Sequence, residues 1–248
     1  MFRVGFRSYV NEKDMKLAKK LGIEVVELMQ EDVTRARLDE VHSLFKEYDI
    51  KPSAALVFPQ RGMDELKADV DYFSKIGCPA YVGHLKPLSF KSPCEDVKAF
   101  KLFWSEACTY AADKGVKVAI QSCGLNPESW DIMFNEVPEL YLEYDPSFTN
   151  QQGMDIPTEI LRYGSRFIHM HAKDEIPIKA DNSNVYTDFK YAPAGMGSIN
   201  WGQIIALLYE IGYKGDIAIE VHSKYWFSDE AYERGIALAK RHLESFMY

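Results

Sequence analysis

The sequence predicts an α/β protein folded as a (β/α)8 TIM barrel, because short apolar runs alternate with amphipathic segments along its 248 residues. Eight such strand–helix units fit the length that α/β barrels commonly use for one domain. No linker, low-complexity tract or change of composition interrupts residues 1–248, so we predict a single domain over that whole range. A doubly wound open sheet is the alternative fold, but it usually needs fewer strands.

The predicted strands are short apolar runs of five to seven residues. They lie at residues 2–6, 23–28, 53–58, 79–84, 116–122, 140–145, 167–172 and 217–222. Because a helical segment follows each run, we expect parallel strands that are joined by right-handed crossovers.

The predicted helices lie between these strands, at residues 11–21, 34–48, 62–76, 95–114, 126–136, 155–163, 200–211 and 228–246. Asn11 is a suitable N-cap for the first helix, and Gly22, Gly77 and Gly115 follow three of the helices, as C-terminal glycines often do. The stretch 174–199 shows no regular pattern and is predicted to be irregular. It is longer than a loop that merely connects two elements of a compact domain, so we expect a lid or binding loop over the catalytic face.

Composition narrows the class of partner. The net charge is −8 and the chain has no run of basic residues, which argues against nucleic-acid binding. No apolar run is long enough to span a membrane, and the N-terminus lacks the pattern of a signal peptide. The four cysteines have no CxxC spacing, so we expect reduced thiols in a cytoplasmic protein.

Side chains of a barrel strand alternate between the barrel interior and the surrounding helices. In the last four predicted strands one alternating set is apolar and is assigned to the helix layer; in the seventh strand this set is Ile168, Met170 and Ala172. The other set turns polar towards the C-terminal end of each strand. It comprises Ala119, Gln121 and Cys123, then Tyr141, Glu143 and Asp145, then His169, His171 and Lys173, and finally Ala218, Glu220 and His222.

Burying this many ionisable groups without partners would cost several kcal/mol each or shift their pKa values. Their convergence therefore predicts a metal or ligand site at the C-terminal face, where barrel active sites lie. The alternative is that these groups pair with one another at the barrel rim.

Asp145, His171 and Glu220 supply two carboxylates and an imidazole, and Gln121 can add a neutral oxygen. Such a mixed donor set suits one divalent ion, namely Mn²⁺, Mg²⁺, Co²⁺ or Zn²⁺.

Several further residues are candidates for the same site. Lys173 is assigned a catalytic role with Glu220, although it could instead hold an anionic group or pair with Asp174 or another acid at the rim. His84, at the end of the fourth strand, and His222 are assigned to substrate contact. Lys86 is interpreted as a solvent-facing charge. Three other residues are left open between a place near the site and a structural or surface role, namely Arg7, Tyr225 and Trp226.

Four segments of the second half resemble the xylose isomerase-like TIM barrel superfamily, and more narrowly its sugar phosphate isomerase/epimerase branch. They are VKVAIQSCG (116–124), YDPSFTNQQGMD (144–155), FIHMHAKD (167–174) and GMGSINWGQIIALLYEIGYKGDIAIEVH (195–222). The first half is similar only in its rhythm of strands and helices. The resemblance implies one divalent metal held at the positions of Gln121, Asp145, His171 and Glu220. It also implies movement of a proton between adjacent sugar carbons.

Two residues depart from the family pattern. Gln121 stands where the family normally has a glutamate, which in the epimerases is one of two opposed acid/base groups. A glutamine cannot take up a proton at neutral pH, so the usual two-base epimerisation is in question. Phe148 stands where many relatives carry a histidine, which favours a different or less polar ligand.

Three interpretations remain open at this stage. In the first, Glu220 acts alone or with Lys173, His84 or His222 in isomerase or lyase chemistry. In the second, Glu143, which is also assigned to substrate contact, replaces the missing acid. In the third, the barrel binds a sugar without catalysis or needs a partner.

The sequence as a whole favours a metal-dependent isomerase or epimerase that acts on a small polyol or keto-sugar through an enediolate. A dehydratase or lyase acting on a related compound is the runner-up, and the sequence leaves open whether the chain forms a homo-oligomer.

Overall fold

The protein is described by a computed structural model that covers residues 2–29, 37–85, 93–179, 186–222 and 228–248. Within these residues, parallel strands close into a barrel that is surrounded by helices. This arrangement confirms the (β/α)8 fold that the sequence predicts.

The described residues form nine strands. These are β1 (Val4–Ser8), β2 (Val25–Met29), β3 (Lys51–Val57), β4 (Ala80–Gly83), β5 (Lys117–Gln121), β6 (Tyr141–Tyr144), β7 (Phe167–Lys179), β8 (Tyr186–Pro193) and β9 (Asp216–Ile219). Eight of them pair in parallel in the order β6-β5-β4-β3-β2-β1-β9-β7, and the pairing of β6 with β7 closes the ring. The remaining strand, β8, pairs with β7 and is antiparallel to it.

The helices of the described residues are α1 (Glu12–Lys20), α2 (Leu38–Tyr48), α3 (Met63–Lys75), α4 (Pro93–Asp113), α5 (Pro127–Glu136), α6 (Pro146–Gln151), α7 (Ile156–Tyr163), α8 (Trp201–Glu210) and α9 (Asp229–Glu244). Each predicted helix has a counterpart, and Asn11 caps α1 by accepting a hydrogen bond from the Asp14 N–H at 2.9 Å. Helix α6 was not predicted, because its six residues are too few to show an amphipathic period. None of the described helices is long and apolar enough to cross a membrane.

The alternation predicted for the strands holds with one exception. Met170 and Ala172 belong to the large core between strands and helices, whereas Ile168 packs against the small apolar cluster inside the barrel. The assignment of Ile168 to the helix layer was therefore wrong. The cause is a shift of register between β6 and β7, where Phe167 pairs with Leu142 but the next pair joins His169 to Glu143. One extra residue on β7 at this point puts Ile168 on the same inward side as His169 and leaves the alternation from His169 onward as predicted.

The interpretation of residues 174–199 as an irregular loop was wrong for much of its length. Strand β7 continues beyond the barrel to Lys179, and β8 returns antiparallel beside it as a two-stranded ribbon. Ile176 and Ile178 of this ribbon are exposed, so the burial that produces a recognisable alternation is missing. The ribbon does reach the predicted catalytic face, since the Tyr191 ring centre lies 5.0 Å from the Lys173 ammonium.

Asp174 anchors the chain where it leaves the ribbon for α8. Its buried carboxylate accepts hydrogen bonds from the backbone N–H groups of Glu175 at 2.9 Å and of Gly195 and Ile199 at 3.0 Å. The indole N–H of Trp201 donates a fourth bond at 3.2 Å. One carboxylate thus accepts hydrogen bonds from four donors, of which those of Glu175, Ile199 and Trp201 are buried.

We expect the substitution Asp174→Ala to lower the free energy of unfolding by roughly 2–4 kcal/mol, because each unsatisfied buried donor costs about 1–3 kcal/mol and water can reach some of them. Urea unfolding followed by circular dichroism measures this change. Asp188→Ala, which removes an exposed carboxylate of the ribbon, is the control and should leave the midpoint unchanged. Equal midpoints for the two variants would contradict the anchoring role of Asp174.

Candidate active site

Inward polar residues come together near the carboxyl ends of β5, β6 and β9 and in the part of β7 that pairs with them. In the strand register, Gln121 pairs with Glu143 and Glu143 pairs with His169. Strand β9 joins the other edge of β7, where His171 pairs with Ala218. Asp145, His171 and Glu220 are buried here, and one ligand atom from each lies within 4.8 Å of the others. We call these three residues the metal-site trio.

Asp145 follows β6 directly and is the N-cap of α6. Its Oδ1 accepts hydrogen bonds from the backbone N–H and hydroxyl of Ser147, at 2.9 and 2.7 Å. Its Oδ2 is buried, makes no directed hydrogen bond with the described residues, and lies 2.7 Å from the Lys173 Nζ. Burial would raise the pKa of Asp145, but the Lys173 ammonium and the His171 ring outweigh it and lower that pKa. Asp145 therefore presents one ionised oxygen to the centre of the site.

Lys173 lies between Asp145 and Glu220, with only 2% of its surface exposed. Its Nζ is 2.7 Å from Asp145 Oδ2 and 2.9 Å from Glu220 Oε2. The ring centres of Phe148 and Tyr191 lie 4.4 and 5.0 Å from the same nitrogen, within the range of cation–π attraction. Burial alone would lower the pKa of Lys173, but the two carboxylates raise it above its usual value. Lys173 is therefore charged, and these two acids, rather than Asp174, are its partners.

Glu220 follows β9, and each of its two carboxylate oxygens contacts two side chains. Its Oε1 accepts a short hydrogen bond from the Arg7 guanidinium and lies 2.8 Å from His222 Nε2. Its Oε2 lies 2.9 Å from Lys173 Nζ and 3.3 Å from His171 Nδ1. Burial would raise the pKa of Glu220, but Lys173 and His171 hold it well below its usual value. Arg7, which the sequence left open, thus faces the site from β1.

The His171 ring separates two groups of polar side chains. Its Nδ1 faces the metal-site side, 3.3 Å from Glu220 Oε2, 3.8 Å from Asp145 Oδ2 and 3.4 Å from the Gln121 amide nitrogen. Gln121 is itself buried at the end of β5. The four predicted metal positions therefore do come together around one nitrogen of this ring.

The other ring nitrogen, His171 Nε2, faces Glu27, whose carboxylate oxygens lie at 2.9 and 3.0 Å. Glu143 Oε2 lies further away, at 3.5 Å. Sequence reasoning missed Glu27, which is fully buried in the middle of β2. The available signal was a carboxylate placed between Val26 and Leu28, in the apolar part of the run 23–28, since a charge buried there needs a partner.

Glu143 lies deeper in the barrel than Asp145. Its Oε1 is 2.8 Å from His169 Nδ1, and His169 Nε2 is 3.1 Å from the Ser53 hydroxyl. All three side chains are buried, and burial raises the pKa of Glu143 to about 7. This position favours a role in supporting the histidines of β7 over the substrate contact predicted for Glu143.

The two remaining predicted contacts lie at the edge of the site. The His222 side chain is 39% exposed beside Glu220, and the centre of its ring is 5.5 Å from that of Tyr191. His84 is half-buried at the end of β4, where its ring packs edge-on against Phe58 at 4.8 Å.

A cavity of about 110 Å³ opens at this face between β1 and β9. The cavity wall includes Arg7, Tyr9, Met29, Glu220, His222 and Tyr232. Lys86, Tyr225 and Trp226 lie outside the described residues.

The metal-site trio and the neighbouring Gln121 fit a divalent metal ion. Asp145 Oδ2 is a buried oxygen that lacks a directed hydrogen bond, and His171 Nδ1 and Glu220 Oε2 are donors of the kinds that Mn²⁺ and Zn²⁺ accept. The Gln121 amide lies beside them and, turned over, would offer its oxygen. An ion held by Asp145 and Glu220 would compete with the Lys173 ammonium for the same two oxygens.

The protein is a (β/α)8 barrel in which ionisable side chains gather at the carboxyl face of the strands. A family model described as "Xylose isomerase-like TIM barrel" matches residues 15–242. The chain belongs to that family, which confirms the resemblance read from the second half of the sequence.

Comparison with individual proteins agrees with this family. Over 127 residues the chain is 28% identical to the uncharacterized protein MJ1311 of Methanocaldococcus jannaschii, a match that spans 47% of this chain and 40% of that protein. The structure of a xylose isomerase domain protein from Planctomyces limnophilus superposes with a TM-score of 0.80 at 17% identity, over 98% of this chain and 96% of the other.

Two further solved structures share the fold over 99% of this chain and 99% of their own, each with a TM-score of 0.77. One is the D-psicose 3-epimerase of Clostridium cellulolyticum H10 with D-tagatose, at 12% identity. The other is the IolI protein with a bound zinc atom, at 21% identity. At these levels of identity the similarity shows a common fold.

Proposed function

We propose that this protein is a metal-dependent sugar isomerase- or epimerase-like enzyme that moves a proton next to the carbonyl of a small polyol or keto-sugar. The observation that carries the proposal is the convergence of Asp145 Oδ2, His171 Nδ1 and Glu220 Oε2 around Lys173 at the carboxyl face. Membership of a family with sugar epimerases among its structural neighbours supports the substrate class. The zinc atom in one neighbour supports a divalent ion.

Asp145, His171 and Glu220 would hold the ion, with Gln121 as a neutral fourth group. When bound, a divalent ion would polarise the carbonyl and the adjacent hydroxyl of the substrate. Asp145 and Glu220 would balance the two charges of the ion, while Lys173 and Arg7 add positive charge beside them.

Glu220 is the group best placed to move the proton. Its carboxylate is ionised, so it can accept the proton as the C–H bond next to the carbonyl breaks. The electron pair of that bond forms the carbon–carbon double bond of an enediolate, and the former carbonyl oxygen gains negative charge. The Lys173 ammonium, 2.9 Å from Glu220, can stabilise that oxygen. The proton then returns to the former carbonyl carbon while the proton of the adjacent hydroxyl passes to the former carbonyl oxygen. The carbonyl now lies on the neighbouring carbon, and the isomerisation is complete.

Gln121 supports a one-base route within this proposal. Its amide lies beside His171 in the place where a second acid/base group would stand, and it cannot exchange a proton. Proton removal on one face and return on the opposite face would need another group. We therefore propose that Glu220 both removes and returns the proton.

Hydrogen exchange tests the proposal directly. Protein loaded with Mn²⁺ and incubated in D2O with small ketoses should replace the hydrogen next to the carbonyl by deuterium, and NMR measures this as loss of the C–H signal. The same protein treated with a chelator should exchange at the background rate. Metal analysis that finds no bound ion, together with an unchanged melting temperature on adding Mn²⁺ or Mg²⁺, would contradict metal dependence. A product that has lost water would indicate a dehydratase, and sugar binding without exchange would indicate a binding protein.

A further inference from the structure

Beneath the metal-site trio lies a second group of buried polar side chains, which we call the interior network: Glu27, Glu143, His169 and Ser53. They extend from β2, β6, β7 and β3 into the barrel, and Glu27, Glu143 and His169 have no exposed surface. Their only described link to the metal-site trio is the His171 ring.

The interior network is not arranged as a second metal site. Glu27, Glu143, His169 and His171 do offer ligand atoms within 4.8 Å of one another. However, both nitrogens of His169 are already paired, with Glu143 at 2.8 Å and with Ser53 at 3.1 Å. Both oxygens of Glu27 are directed at a single nitrogen of His171. These contacts occupy the ligand atoms of His169 and Glu27 and leave a single oxygen of the network, Glu143 Oε2, without a hydrogen bond among the described residues. One free oxygen is too few to hold a metal ion, so the network serves to hold side chains in place.

The contact between Glu27 and His171 determines which ring nitrogen can bind a metal. A carboxylate with both oxygens within 3.0 Å of Nε2 requires that this nitrogen carry a proton and donate it. In a coordinating imidazole the other nitrogen must present its lone pair, and here Nδ1 faces Asp145 Oδ2 and Glu220 Oε2.

We infer that Glu27 is a positioning residue that holds His171 with Nε2 protonated and Nδ1 directed at the metal ion. The inference rests on the metal-dependent function proposed above and adds to it a residue that touches neither the ion nor the substrate.

Glu27 is better suited to this task than Glu143. Glu143 Oε1 is already engaged by His169, and its other oxygen is 3.5 Å from His171 Nε2, beyond a strong hydrogen bond. Glu27 approaches from β2, across the barrel interior from β7, so that it restrains the ring from the side opposite Asp145 and Glu220. Loss of Glu27 would leave His171 Nε2 with only the more distant Glu143 Oε2, at 3.5 Å, and would weaken the restraint on the ring.

The test compares the metal affinity of the parent protein with that of Glu27→Gln and Glu27→Leu, by calorimetric titration with Zn²⁺ and with Mn²⁺. We expect Glu27→Gln to bind each ion about 10- to 100-fold more weakly, the range typical for loss of such a supporting group. Glu159→Gln is the matched control, because Glu159 is a buried carboxylate that accepts bonds from Tyr144 and Thr149 at a distance from the metal-site trio. It should keep the parent's affinity. If Glu27→Leu does not fold, Glu27→Gln alone decides the result.

A second measurement does not depend on metal. In protein labelled with ¹⁵N-histidine, His171 Nε2–H should give a slowly exchanging, downfield-shifted proton signal, and Glu27→Gln should move that signal upfield and speed its exchange. Equal metal affinity and an unchanged Nε2–H signal in Glu27→Gln would overturn this inference alone. A parent protein that binds neither ion would overturn the proposed function, and the proton signal would then decide whether Glu27 orients the ring.

Discussion

Glu220→Gln is expected to slow hydrogen exchange at the carbon next to the substrate carbonyl by about 100- to 10,000-fold, the usual contribution of a general base. The amide keeps the size of the side chain but cannot accept a proton. It also removes the negative charge that Lys173, Arg7 and His222 all contact. This variant should therefore show the largest loss of activity of any single substitution considered for this protein.

The measurement is the rate of deuterium uptake by a small ketose, with the metal content of each sample determined in parallel. Glu159→Gln serves again as the control, because it removes a buried carboxylate that does not contact the metal-site trio. If Glu220→Gln exchanges at the rate of the parent while it carries the same amount of metal, Glu220 is not the base. If exchange falls only in proportion to lost metal, Glu220 acts as a ligand alone.

Lys173→Met is expected to lower the free energy of unfolding of chelator-treated protein by about 3–5 kcal/mol, the usual cost of breaking a buried ion pair. Without the ammonium, Asp145 Oδ2 and Glu220 Oε2 are two buried negative oxygens that face each other. A divalent ion supplies the missing positive charge and no longer has to displace an amine. Added Zn²⁺ or Mn²⁺ should therefore raise the melting temperature of the variant more than that of the parent.

Urea unfolding with chelator and thermal unfolding with each metal provide the two readouts. Lys190→Met is the control, because Lys190 pairs with Asp188 on the exposed face of the ribbon and has no contact with the cluster. A Lys173→Met protein that matches the parent in chelator would show that the two carboxylates do not depend on the ammonium. An equal metal response in both proteins would show that Lys173 does not compete for the ion.

The sequence by itself determined the repeating strand–helix order and which face of each late strand is polar. Strand side chains alternate with a period of two, and the outward set must be apolar to pack against helices. That requirement alone placed Gln121, Asp145, His171 and Glu220 on the inward side. The resemblance of the second half to a known family pointed to the same four positions.

Only the tertiary structure decided which of these inward groups meet, and what lies opposite them. Glu27 contacts His171 from 144 residues away, and Arg7 reaches Glu220 from 213 residues away. The register shift that turns Ile168 inward and the ribbon that brings Tyr191 to Lys173 likewise arise from the pairing between strands. Alternation specifies the face on which a side chain lies, but its partners depend on the stagger and closure of the barrel, which no local pattern encodes.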